Sequence, residues 1–66
     1  MPRKIMVRAV ISGQTMTEET TARDLESGKR NVGVRLQKRY PYARIFLPDF
    51  LKKAEAWFKD QAPLTV

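Results

Sequence analysis

The sequence predicts an α+β fold in which a small antiparallel sheet, of three strands or four, packs against one C-terminal amphipathic helix. Two patterns carry that expectation. Apolar residues alternate over residues 4–11, 32–38 and 43–47, which is the period of a half-buried strand. They then recur at Phe50, Ala54, Trp57 and Phe58, at spacings i, i+4, i+7 and i+8, which is one face of a helix. At 66 residues, the whole of 1–66 reads as a single basic domain.

The elements follow in chain order. In the first strand Ile5, Val7, Ala9 and Ile11 share one face, and Lys4, Met6, Arg8 and Val10 share the other. Its β-branched content suits a pleated surface. Ser12, Gly13 and Gln14 supply a turn. Residues 15–26 admit two readings. Thr15 and Glu18 have the spacing of a capping box that opens a short helix through Leu25, yet four threonines are poor helix formers. A hairpin arm over 15–21 followed by a loop is the preferred reading. Residues 27–31, with Gly28, read as a turn.

A second strand is expected at 32–38, with Val32, Val34 and Leu36 on one face and Gly33, Arg35 and Gln37 on the other. Gly33 there marks a bulge or a close backbone approach. Residues 39–42 turn at Pro41, and 43–47 return as a third strand with Ala43, Ile45 and Leu47 inward. Pro48 ends that strand and Asp49 caps the helix expected over 50–61, whose apolar face would lie on the sheet. Pro63 stops the helix, and 64–66 read as a tail. At the level of architecture, three strands followed by a helix resembles the small sheet-reading DNA-binding domains of some plant transcription factors and of the N-termini of some phage-type recombinases. No motif matches residue by residue.

Composition narrows the chemistry. There is no cysteine and no histidine, so disulfides, zinc clusters and haem ligation have no ligands, and no cofactor is expected. The usual general base and the strongest nucleophile are missing with them, and the carboxylates form no paired cleft, so the chain is expected not to be an enzyme. No apolar run is long enough to cross a membrane. The basic start is broken by Arg8 before any signal-like apolar run forms, and a cytoplasmic location is the expectation. A domain of this size buries only about 60% of the surface its unfolded chain exposes, which leaves room for support from a homodimer or a ligand.

The net charge of +6 is unevenly spread, with residues 29–47 carrying Lys29, Arg30, Arg35, Lys38, Arg39 and Arg44 and no acid. If 32–38 and 43–47 are strands, then Lys4, Arg8, Arg35, Gln37 and Arg44 project together with Met6, Val10 and Phe46 on the face the helix leaves bare. A face of that kind binds polynucleotides by releasing counterions. The expected function is therefore non-catalytic binding of nucleic acid, DNA or RNA. Arg8, Arg35, Arg39 and Arg44 would act from the sheet, with Lys29, Arg30 and Lys38 on phosphates. Tyr40, Tyr42 and Phe46, interleaved with cations, would stack bases. Two blander roles stand beside this: a charged face that keeps a strand edge soluble, and tyrosines that close the end of a small core. The alternative function is a protein–protein adaptor or inhibitor that meets an acidic partner through Met6, Val10 and Phe46.

Overall fold

The structure is a computed structural model that describes residues 1–61. It is α+β with a three-stranded antiparallel sheet, as expected, but the elements run in a different order. β1 (Arg3–Ile11) and β2 (Gln14–Ala22) form a hairpin, α1 (Leu25–Arg39) and α2 (Leu47–Lys53) follow, and β3 (Glu55–Phe58) closes the sheet in the order β2-β1-β3. No helix is long and apolar enough to cross a membrane among the described residues. The tail read at 64–66 lies outside them.

The hairpin follows the sequence closely. Ile11 and Gln14 pair across a two-residue loop, Ser12 and Gly13, at φ 51° and 80°. Positive φ at both central positions gives the type I′ twist that matches two right-twisted strands. Ile5, Val7, Ala9 and Ile11 are all buried, as their alternation predicts. The arm read at 15–21 is β2.

The expected strand at 32–38 is instead the second half of a 15-residue helix. Asp24 caps α1 by accepting the Ser27 backbone N–H at 2.8 Å. The helix then divides into four lengthwise stripes, each stepping four residues at a time. Gly28, Val32 and Leu36 enter the core, whereas Lys29, Gly33 and Gln37 face α2 and the segment before it. Asn31, Arg35 and Arg39 reach towards β2. The stripe opposite the core, Arg30, Val34 and Lys38, is exposed. Val32 and Leu36 satisfy both the two-residue period and the helical one, and Val34 breaks the tie by pointing to solvent. Gly28 is accordingly no turn residue and Gly33 no bulge. Both are close-approach points, where an added Cβ would lie 2.9 Å from Ile5 Cγ2 and from Leu47 Cδ1 respectively.

The expected strand at 43–47 is also replaced, because 40–46 is a connecting segment that leads into α2. The helix expected over 50–61 lasts only to Lys53, with Pro48 in its first turn and Ala54 extended at φ −69°, ψ 144°. Phe50 and Ala54 are buried as predicted, but 55–58 is a strand. The reason is tertiary. In an antiparallel ladder alternate residues turn their polar groups to opposite neighbours. Once β2 has bonded one edge of β1, the other edge needs a partner, and β3 supplies it with Met6 opposite Trp57 and Arg8 opposite Glu55. The Lys59 N–H donates to the Lys4 carbonyl at 3.0 Å and extends this ladder. Phe58 packs against the core, whereas Trp57, one residue earlier, lies on the bare face.

The outer edge of β2 is guarded by side chains rather than by a strand. Asn31 Nδ2 donates to the Thr21 carbonyl at 3.4 Å, and Arg35 donates to the Glu19 carbonyl at 2.8 Å and to Thr20 Oγ1 at 3.2 Å. Covering outward carbonyls in this way blunts an edge that would otherwise template pairing.

Acid should weaken the fold through the α1 cap. Hydrogen bonding from Ser27, first from its backbone N–H and then from its side chain, holds the Asp24 carboxyl below its usual range. A depressed folded-state pKa stabilises the native state at pH values above the unfolded-state pKa, and that contribution is lost as pH falls through the folded value. Asp24→Asn keeps an acceptor at the cap but removes the titration. Its urea midpoint is therefore expected to fall less than that of the wild type between neutral pH and the carboxylate range. An identical acid limb in both proteins would contradict this role for Asp24.

Candidate nucleic-acid interface

The bare face of the sheet is not the basic surface the sequence suggests. Arg35, Gln37 and Arg39 stand on α1 and Arg44 in the segment after it, so of the expected cations only Lys4 and Arg8 remain on that face. Arg8 pairs with Glu55 and lies over the Trp57 ring at 5.4 Å, and Lys59 pairs with Glu19 at 2.7 Å. This ion pair, chiefly through the Lys59 hydrogen bond, holds the Glu19 carboxyl below its usual range. On the core-side rim Arg3 pairs with Asp60 at 3.1 Å and stacks on Phe58 at 3.8 Å.

The charge has moved to the other layer. Residues 23–53 hold nine cations against three carboxylates, Asp24, Glu26 and Asp49, and all other residues together hold four of each sign. The entire net charge of +6 thus belongs to the helices and their connections, and the strands are neutral. Some helix-layer cations are engaged. Arg39 and Arg35 share Glu18 of β2, at 3.1 and 3.9 Å, and Lys53 pairs with Asp49 at 3.2 Å. Lys29 Nζ donates to the Leu51 carbonyl at 3.2 Å. Among the described residues Arg23, Arg30, Lys38, Arg44 and Lys52 have no carboxylate within 4.0 Å. Arg30 and Lys38 flank Val34 on the stripe of α1 that faces away from the sheet.

The segment after α1 carries the aromatic residues. Tyr40 caps α1 with its N–H on the Leu36 carbonyl at 2.8 Å, and its half-buried ring packs on the core, so it closes the core end rather than offering a free face. Tyr42 is 97% exposed and Phe46 71% exposed, with exposed Arg44 between them. Ala43 and Ile45, the alternating residues, are half-buried against the core. Gln37 enforces this alternation from α1. Its Nε2 donates to the Ala43 carbonyl at 2.7 Å, and its Oε1 accepts the Ile45 N–H at 2.8 Å. A side-chain amide here makes the two contacts that a neighbouring strand would make.

Of the residues singled out by sequence, then, Arg30, Lys38, Tyr42, Arg44 and Phe46 are free at the surface. Arg8, Arg35 and Arg39 are held by carboxylates of the sheet, and Lys29, Gln37 and Tyr40 serve the fold. Arg23 and Lys52 lie outside the basic block at 29–47, and nothing in the sequence pattern points to them.

Fold and surface together define a charge-polarised two-layer α+β domain, with a neutral sheet on one side and a basic helix layer on the other. Comparison with protein-family models, with curated proteins and with solved structures finds no match to this chain.

Proposed function

We propose that this chain is a non-catalytic nucleic-acid-binding protein that meets its ligand with the helix layer. The observation that carries the reading is the segregation of charge: nine cations against three carboxylates in residues 23–53, and balance elsewhere. Packed cations repel one another, and a polyanion relieves that repulsion while shedding its own condensed counterions. Arg30 and Lys38 on the outward stripe of α1, with Arg44 beyond its C-terminal end, are placed to contact phosphates. Arginine adds bidentate hydrogen bonding to the charge.

Binding measured against salt concentration tests this directly. A ligand held by three or four phosphate contacts is expected to give a log–log slope of about −3 to −4 for a duplex. No association at low salt, or association that ignores ionic strength, would overturn the reading. Glu18→Gln supplies a gain-of-function arm. It removes the carboxylate that holds Arg39 and Arg35, and is expected to tighten binding several-fold at low salt and steepen the slope by about one. Unchanged affinity would place both arginines away from the ligand.

A second reading, an adaptor for an acidic partner, is supported by one feature. Next to the first residue of β3, Val10, Phe46, Arg44 and Lys53 border a groove of about 320 Å³, which Ala9, Ile11, Phe50 and Ala54 also line. By the alternation of the ladder the Val10 N–H and C=O face this groove, where an extended segment can add as a strand. That reading requires a ligand whose binding depends on Val10, and the first reading does not.

A further inference from the structure

We infer that the nucleic acid bound by this surface is single-stranded, and that Tyr42 and Phe46 stack its bases on either side of Arg44. The inference rests on the nucleic-acid reading above and specifies its ligand. A single exposed apolar side chain calls for no explanation. Two aromatic rings at 97% and 71% exposure, separated by an exposed guanidinium, do call for one, because neither ring contributes much burial to the core.

The row is built and not incidental. Gln37 grips the backbone at Ala43 and Ile45, the two positions between the row's members, with hydrogen bonds of 2.7 and 2.8 Å. The Ala43 N–H adds a bond to the Tyr40 carbonyl at 3.0 Å. With Ala43 and Ile45 turned to the core, Tyr42, Arg44 and Phe46 are turned to solvent before any ligand arrives, so the backbone that carries them needs little further ordering. Tyr42 sits in the turn that the Ala43–Tyr40 bond closes, and even a fully extended chain would put the two ring-bearing residues at most about 13 Å apart. That span leaves room for a base on each ring and a phosphate at Arg44. Bases inside a duplex are already stacked on their neighbours and present only edges in the grooves, so free ring faces select unpaired bases. Arg30 and Lys38, two further cations without a carboxylate partner among the described residues, would follow the backbone of the same strand.

The experiment compares fluorescence anisotropy titrations of oligodeoxythymidylate, oligouridylate and a mixed-sequence duplex of equal length with the full chain and with Tyr42→Ala, Phe46→Ala and Tyr42→Phe. Both alanine variants remove exposed rings, and their unfolding midpoints are measured alongside. The single strands are expected to bind more tightly than the duplex. Each alanine change should lower single-strand affinity by about five-fold or more while leaving duplex affinity unchanged, and Tyr42→Phe should retain it. Duplex bound as tightly as single strands, or rings without effect, overturns the inference and leaves the nucleic-acid reading standing. No binding of any of the three at low salt overturns both.

Discussion

Gly28→Val is expected to leave much of the chain unfolded under conditions in which the wild type is native. A Cβ at position 28 would lie 2.9 Å from Ile5 Cγ2, 3.1 Å from its Cδ1 and 3.3 Å from its Cβ. The first two atoms are side-chain tips, but the third is fixed to the backbone of the central strand. Ile5 is fully buried, with β2 on one side and β3 on the other, so β1 has nowhere to retreat. Valine adds two methyl groups beyond that Cβ. Against this stands a gain in helix propensity over glycine of only a few tenths of a kcal/mol. Overpacking of this kind costs about 1–3 kcal/mol and more where the backbone must move. A 66-residue domain has roughly 3–10 kcal/mol in total. Urea unfolding followed by circular dichroism should show a sharply lowered midpoint with an unchanged slope. A variant as stable as the wild type would return Gly28 to the turn that its sequence context suggests.

The largest functional effect is expected from removing the outward cations together. Arg30→Ala, Lys38→Ala and Arg44→Ala combined should reduce the salt slope by about three and lower affinity by roughly 100- to 1,000-fold at moderate salt. All three side chains are exposed and have no carboxylate partner among the described residues, so stability should change by no more than about 0.5 kcal/mol for each. The informative control is the equivalent change on the sheet, Lys4→Ala with Arg8→Ala. That pair also removes positive charge, but from the neutral layer, where Arg8 already serves Glu55. If both sets weaken binding in proportion to charge alone, the helix layer is not the binding surface. If only the helix set does, it is.

What could be read from the sequence divides along a physical line. β1 and its hairpin were legible because their signals are local: strict alternation from Ile5 to Ile11, and a turn residue at Gly13. α1 was not, because its two glycines resemble punctuation. Gly28 and Gly33 have no side chain because Ile5, Leu47 and Phe50 come so close, and all three lie far away in sequence. The C-terminal pattern failed in the opposite sense. Phe50, Ala54, Trp57 and Phe58 do fit a helix, yet the open edge of β1 claims the last two as a strand and sends them to opposite faces. The basic block at 29–47 was correctly seen as a block. Its carrier is α1 rather than a strand, so Arg35 and Arg39, expected on an open sheet face, sit beside Glu18. Arg44 and Phe46 face outward in either setting, because Gln37 holds Ala43 and Ile45 inward as a neighbouring strand would, and Tyr42 is exposed in the turn that the Ala43–Tyr40 bond closes.

The strand order β2-β1-β3 also bears on how the chain reaches its native state. The hairpin joins near neighbours, whereas Ile5 meets Phe58 only across almost the full length of the domain. Closing that span costs more chain entropy than closing the hairpin, so the hairpin is expected to form before the C-terminal segment docks. Until it docks, the central strand has one unsatisfied side, and a newly made copy is open there to mispairing with others.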